Sequence, residues 1–365
     1  MPAVPAATHR RMSYAPQPHQ LFGSGDLYLA CNFRPLRRLG EGAYGEVLEA
    51  EDVTTGARVA LKRVYLRHVD ADFFPIAAFR ELQAHASLCH PNIVRFLGSF
   101  SGAHAVTLVL DAHVADLAAL LERAAPGGLP EAAARVLGEG ILRGLAHVHA
   151  VGLLHRDVKP ANILVGADGV PRLCDFGLAR PFRRGGGHPP PVLTAQVSSR
   201  WYRAPEVLLG TSLYGPAVDV WGAGLVVAEL FAGRPLCAGS NDLEQVGAVV
   251  ALRGSPEAEW PAVVSTPDWG KVLFAPTPPA PLDAALGPRA GAHAVDLVAA
   301  LLQWDPARRI SAEEALRHPF FAPHLPRVDG AVLAELARAS VQGALGSAGG
   351  RGSRSSLPRL AEEEE

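Results

Sequence analysis

Between residues 153 and 180 the chain reads LLHRDVKPANILVGADGVPRLCDFGLAR, and this stretch limits what it can fold into more than any other. Arg156, Asp157, Lys159, Asn162 and Asp175 are set among Ile163, Leu164, Val165 and Leu173, an apolar, strand-like context. Ions beside such strands are costly unless something partners them. Asp157 and Asn162 flank one tight loop, and Asp175 lies in DFG on the next. Asn162 and Asp175 offer hard oxygen ligands, of which magnesium takes only a few when phosphate oxygens complete its shell. Asp157 is then left to accept a proton from an attacking hydroxyl, and Lys159 to neutralise a phosphoryl group in transfer. Each acid alone would more often be a helix cap or a surface charge. The whole set, in this order, points to magnesium-nucleotide as the partner.

The rest of the chain narrows the class. Its 365 residues are 48% hydrophobic and 19% charged, with a net charge of −2. That profile gives no field strong enough to make nucleic acid or an anionic membrane the main partner. The most apolar segment, AVDVWGAGLVVAELFAG, carries Asp219 and Glu229 and is interrupted by glycine. It reads as a buried core helix, not a membrane span. MPAVPAATHRRMSYAPQPHQ has no apolar h-region, which argues against secretion; it holds arginine and no acid, as organelle-targeting segments also do. Cys31, Cys89, Cys174 and Cys237 lie far apart without a CxxC pair, as expected of thiols in a reducing compartment.

The organisation expected is a flexible tail at 1–32, a domain at 33–323 and a mostly flexible extension at 324–365 with an acidic end. From 33 to 66 three strands are separated by a glycine-rich turn and by TTG. A helix opens at Pro75, and NIVRFLGSF and AVTLVLDA are two further strands. Beyond 115 the chain turns helical. LPEAAARVLGEGILRGLAHVHA repeats Val136, Ile141, Leu142, Leu145 and Val148 at helical spacing. The fold class is therefore α+β and bilobal, with a β-rich N-lobe at 33–111 and a larger helical C-lobe at 112–323.

GEGAYGEV sets Gly40, Gly42 and Gly45 in a GxGxxG pattern between two strands. Backbone N–H groups there can approach phosphate oxygens closely, although glycines also build plain hairpin turns. A dinucleotide fingerprint would open a helix, and here a strand follows. Lys62 in VALK stands on the next strand, where a lysine can also simply snorkel to solvent. Glu81 on the following helix is placed to hold it as an ion pair aimed at phosphates.

The glycine loop, the strand lysine, HRDxxxxN, DFG and APE together resemble the protein kinases from about 33 to 323. The resemblance makes Asp157 the catalytic base, Lys159 its neighbouring cation, and Asn162 and Asp175 the Mg2+ ligands. It places ATP among Leu39, Gly40, Glu41, Gly42, Ala43, Tyr44, Gly45, Val47, Ala60, Lys62, Glu81, Leu110, Asp111, His113, Asp116 and Leu164. It pairs Glu206 of Ala204–Glu206 with Arg309 of DPARRI. SRWYRAPEVLLG and DFGLAR are similar to the cyclin-dependent and mitogen-activated group. FPIAAFREL stands where cyclin-dependent kinases carry PSTAIRE. HRDVKPANILV, SNDLEQV and STPDWGKVLF resemble the cell-cycle-related kinase subfamily.

That resemblance implies a proline-directed serine/threonine kinase acting on protein substrates with Ser/Thr-Pro. It implies a cyclin-like activator or an upstream activating kinase, and a role upstream of mitogen-activated-type kinases in cilium length control. The location implied is cytoplasmic or nuclear, with a ciliary site added by the subfamily. Thr194 is the expected activating phosphosite, its phosphate binding Arg80, Arg156 and Arg180. Proline preference is expected from the backbone near Val197, with Arg200 or its neighbour holding it. The chain departs from the pattern at RRGGGHPPP (183–191) and at Cys174, either a small apolar filler or a reactive thiol. Ala43 replaces a threonine often found beside the loop tyrosine. The competing readings are a pseudokinase scaffold, which would usually lack Lys62, Asp157 or Asp175, and a small-molecule phosphotransferase, which SSRWYRAPE argues against.

Overall fold

The computed structural model describes residues 25–42, 45–65, 76–102, 105–124, 127–182, 199–271 and 274–347. Ala43, Tyr44, Thr194, Val197 and the 183–191 segment lie outside them. The chain divides into two compact units: residues up to 75 with 95–112, and 76–94 with 113 onwards. The first is β-rich and the second helical, the α+β class expected, although residues 76–94, read with the N-lobe in the sequence, fall in the second unit.

In the first unit, helix α1 (Gly25–Asn32) precedes β1 (Phe33–Gly42), β2 (Gly45–Asp52) and β3 (Arg58–Tyr65). The second unit contributes α2 (Ile76–Ser87) next in the chain, before β4 (Phe96–Ser101) and β5 (Ala105–Asp111) return to the first. The five strands form one antiparallel sheet in the order β1-β2-β3-β5-β4. Alternation along β3 buries Val59 and Leu61 on one face, and Val64, out of phase with them, is buried on the other. Val59 and Leu61 join Phe33, Ala50 and Val109 in one core. Cross-strand pairs Arg34–Glu51, Arg37–Glu49 and Arg63–Glu46 line up between neighbouring strands at 2.6–2.9 Å.

The second unit continues with β6 (Ala115–Asp116), α3 (Leu117–Arg123) and α4 (Glu131–Ala150). The short strands β7 (Leu153–Leu154), β8 (Ile163–Val165), β9 (Pro171–Leu173) and β10 (Arg180–Pro181) follow. Then come α5 (Pro205–Leu208), α6 (Ala217–Ala232), α7 (Asp242–Arg253), α8 (Leu282–Leu286), α9 (Ala292–Leu301), α10 (Ala312–Ala315) and α11 (Gly330–Ser347). Strand β8 pairs with β6 and β9, and β7 with β10. The apolar run read as a core helix is α6, buried from Val218 to Phe231 and packed on α4 and α9. Helix α4 buries Ile141, Leu142, Leu145 and Val148. Among the described residues no helix is long and apolar enough to cross a membrane.

Two segments expected to be flexible are helical. Gly25–Asn32 forms α1 because Tyr28 and Leu29 pack on the first unit's core, with the Tyr28 ring 4.9 Å from that of Phe100. Gly330–Ser347 forms α11 because Leu333, Ala334, Ala337 and Ser340 recur at helical spacing and are buried, with the helix lying against α3 and β6. Low-complexity residues beyond 347 had masked that periodicity.

The start of α11 is seated on the turn between β8 and β9. Gly169 there has φ +72°, and a Cβ would sit 1.9 Å from the carbonyl oxygen of Gly330. Gly169→Ala therefore strains the turn and pushes on α11 together. A loss of about 1–3 kcal/mol is expected, read as a lower midpoint in urea unfolding. An unchanged midpoint would show that neither the turn nor the contact is rigid.

Candidate active site

The 153–162 loop is held from beneath by one buried carboxylate. Asp219, on the first turn of α6, accepts from the backbone N–H groups of His155 (2.8 Å) and Arg156 (2.7 Å) and from His149 Nε2 (2.9 Å). Burial pushes its pKa up, but the bond and charge of His149 and the approach of His155 outweigh burial and hold it below the usual value. Arg156 takes a left-handed backbone, φ +68°, uncommon for a side chain of its size. Its guanidinium donates to the Leu178 carbonyl and the Tyr214 hydroxyl, at 2.7 and 2.8 Å.

That turn delivers Asp157. Its Oδ1 accepts from the Ser199 N–H at 2.9 Å, and its Oδ2 from Lys159 Nζ at 2.7 Å and Asn162 Nδ2 at 2.8 Å. Lys159 also donates to Ser199 Oγ at 2.8 Å, so base, lysine and Ser199 form one cluster. The His155 ring is set by its bonds. Nδ1 accepts from the Asp157 N–H, so Nε2 carries the hydrogen given to the Cys174 carbonyl. This links the loop to the residue before Asp175.

Asn162 uses its amide nitrogen twice, towards Asp157 Oδ2 and the Asp157 carbonyl. Its side-chain oxygen is thereby left as the acceptor, the end a hard cation takes. Asp175 is half-buried with φ +61°. Its Oδ1 and Glu81 Oε2 both close on Gly177, where a Cβ would sit 3.3 and 3.8 Å from them. One amide oxygen and one carboxylate fit magnesium, which keeps water and phosphate for its other positions.

Around this centre the ions are mostly matched. Arg309 grips Glu206 bidentately at 2.9 and 3.1 Å and lies over the Trp221 ring. Tyr202 donates to Glu229 at 2.7 Å. Arg200 spends Nε and Nη1 on Asp242 and Ser240 of the α7 entrance, and Trp201 Nε1 reaches the Gly239 carbonyl. Arg80, Arg156 and Arg180 are different. Burial and the charge of Arg156 lower the pKa of Arg80, and burial with the charges of Arg80 and Arg156 lowers that of Arg180. Arg180 Nε is buried with no hydrogen-bond partner among the described residues.

The other sequence-derived residues fall as follows. Gly40, Glu41 and Gly42 end β1, Gly45 opens β2 opposite Gly42, and exposed Leu39 precedes them. Lys62 on β3 lies in register between Val47 on β2 and Leu108 on β5, next to Ala60, which faces Leu110. Asp111 is held by Arg95 at 2.9 and 3.0 Å. In the second unit Leu164 is on β8 and His113 precedes β6. Asp116 caps α3, its Oδ1 accepting from the Ala119 N–H at 2.8 Å. His149 and Tyr214 carried no signal of their roles in the sequence. Asp219 and Glu229 had been visible only as acids interrupting an apolar run, which was the available signal that each has a buried partner.

A family model described as "Protein kinase domain" matches residues 33–321. Mouse "Cyclin-dependent kinase 20" is 39% identical over 288 residues, 78% of this chain and 82% of its own length. Rice "Cyclin-dependent kinase D-1" is 40% identical over 285 residues, 78% of this chain and 65% of its own length. A solved structure of the CAK complex from Chaetomium thermophilum, bound to ATP-gamma-S, matches with a TM-score of 0.76 and 32% identity. It covers 87% of this chain and 98% of that one.

Because the folded state depresses the Asp219 pKa, its stabilisation is present above the ordinary carboxylate value and is lost as pH falls through the folded-state value. Asp219→Asn turns an NH2 group towards donors and is expected to cost about 3 kcal/mol at pH 7. That gap should narrow below about pH 4. Urea unfolding of both proteins at pH 7 and pH 3.5 measures it; a gap independent of pH would refute the charge argument.

Proposed function

We propose that this chain, which belongs to the protein kinase family and to its cyclin-dependent group, transfers the γ-phosphoryl group of ATP to serine and threonine hydroxyls of proteins. The observation that carries the reading is the Asp157 carboxylate, oriented through both oxygens by Ser199, Lys159 and Asn162. A substrate hydroxyl presented there gives its proton to Asp157 as its oxygen bonds to phosphorus and the bond to the ADP oxygen breaks. Lys159 offsets the charge on the phosphoryl group. Magnesium, held by Asn162 and Asp175, supplies charge neutralisation of the nucleotide. Lys62 and the Gly40–Gly45 loop, with the apolar set named above, bind ATP. The presence of Lys62, Asp157 and Asp175 together favours an active enzyme over a scaffold.

Activation runs through Thr194, whose phosphate is the anion that Arg80, Arg156 and Arg180 await. Beside the larger effect of burial, the charge of Arg156 acting on Arg80, and of both on Arg180, supports this. Substrates carry proline after the target residue. That reading rests on the resemblance at SSRWYRAPE, because Arg200 points to α7 and Val197 lies outside the described residues. A cyclin-like activator acts at the helix bearing Glu81. On the subfamily resemblance, the enzyme works upstream of mitogen-activated-type kinases in cilium length control.

Transfer from radiolabelled ATP to paired peptides, Ser-Pro and Ser-Ala, tests the chemistry. The Ser-Pro peptide is expected to be the better substrate, and Asp157→Asn to lower kcat by about 10²–10⁴. Full activity in that variant would overturn the mechanism. Treatment with an upstream activating kinase is expected to raise wild-type activity and to leave Thr194→Ala unchanged. Equal gains in the two proteins, with the phosphate found elsewhere by mass spectrometry, would reject the assignment.

A further inference from the structure

The reaction scheme leaves one buried titratable group on α2 without a role. His85 lies one helical turn after Glu81 and is 3% exposed, on the same buried face as Ala84 and Leu88. An apolar side chain would fill that place at no electrostatic risk, so an imidazole there calls for a reason. Its ring meets Phe176 edge-on, with centroids 5.2 Å apart, and Phe176 in turn lies 4.9 Å from the ring of His155. Three rings thus run from α2 through DFG to the catalytic loop. On its own helix, His85 Nε2 stands 3.9 Å from Glu81 Oε1.

We infer that His85 is a positioning residue whose protonation state directs the Glu81 carboxylate. The inference rests on the kinase reading, which assigns Glu81 to Lys62. At 3.9 Å the neutral ring is in contact with Glu81 but beyond hydrogen-bond distance. Phe176 closes one side of the ring, and Glu81 lies within a small movement of it. When the ring takes a proton from solvent, the imidazolium needs a counter-charge at this depth, and Glu81 supplies it. A carboxylate drawn to His85 is withdrawn from an ammonium group. Other groups near this cluster include Asp175, whose carboxylate shares Gly177 with Glu81, and His155, whose ring is committed to Asp157 and Cys174. Acid therefore lowers activity through α2, apart from any titration of Asp157.

The full activated chain is compared with His85→Leu and His85→Gln. Peptide phosphorylation is measured at pH 5.5 and pH 8.0, each rate divided by the same protein's rate at pH 8.0. The wild type is expected to lose about threefold more activity in acid than either variant. Equal ratios in all three proteins would overturn the inference. A second measurement follows the His85 ring proton by NMR, assigned by its loss in His85→Leu, in wild type and in Glu81→Gln. Its titration midpoint is expected to move to lower pH when the carboxylate is neutralised; an unmoved midpoint would equally overturn it. If no protein phosphorylates peptide at any pH, the kinase reading fails and the NMR titration alone decides whether His85 and Glu81 are coupled.

Discussion

The C-terminal unit is organised by the carboxylate of Asp219. Three donors converge on it, two from the backbone of the catalytic loop and one from His149 at the end of α4. The two backbone bonds clamp the peptides on either side of His155, just ahead of the left-handed Arg156 turn, and that turn presents Asp157. A conformation costing about 1–3 kcal/mol persists only where its surroundings over-determine it. Here α4, α6 and the loop all meet at one anion. The rigidity of α6, buried along most of its length, is thereby conveyed to the proton acceptor.

Elsewhere in the same unit buried charge is balanced pair by pair. Glu206 has Arg309, and Glu229 has the Tyr202 hydroxyl, a bond that counters the upward push of burial on the Glu229 pKa. Against that background Arg80, Arg156 and Arg180 form a patch of one sign. The proposed phosphothreonine would bring the missing negative charge and couple α2, the catalytic loop and the segment after DFG.

The catalytic centre was legible because its chemistry is local in sequence. Asp157, Lys159 and Asn162 share one loop, and strands β8 and β9 bring Asp175 to it through a short turn. The five-stranded sheet was legible from alternation and from the turns. What the sequence hid is what acts at long range. Asp219 meets His155 only in the folded chain, although an acid inside an apolar helix already announced a partner. Asp116, placed among the ATP residues on resemblance, also fills the local role of N-cap to α3. His85 looked like any helical residue until its burial against Phe176 was known. The two terminal helices were obscured by neighbours rich in Gly, Ser and Pro, whose composition outweighed the short periodic stretches beside them.

Helix α11 carries a consequence for how the chain is made. It covers α3 and β6 and rests on the β8–β9 turn, elements that leave the ribosome long before it does. Leu333 and Ala337 reach their buried places only after α3, β6 and the β8–β9 turn have all been made. Until then the nascent chain displays an apolar face next to its catalytic loop, the kind of transient surface that chaperones bind and that aggregates when they do not.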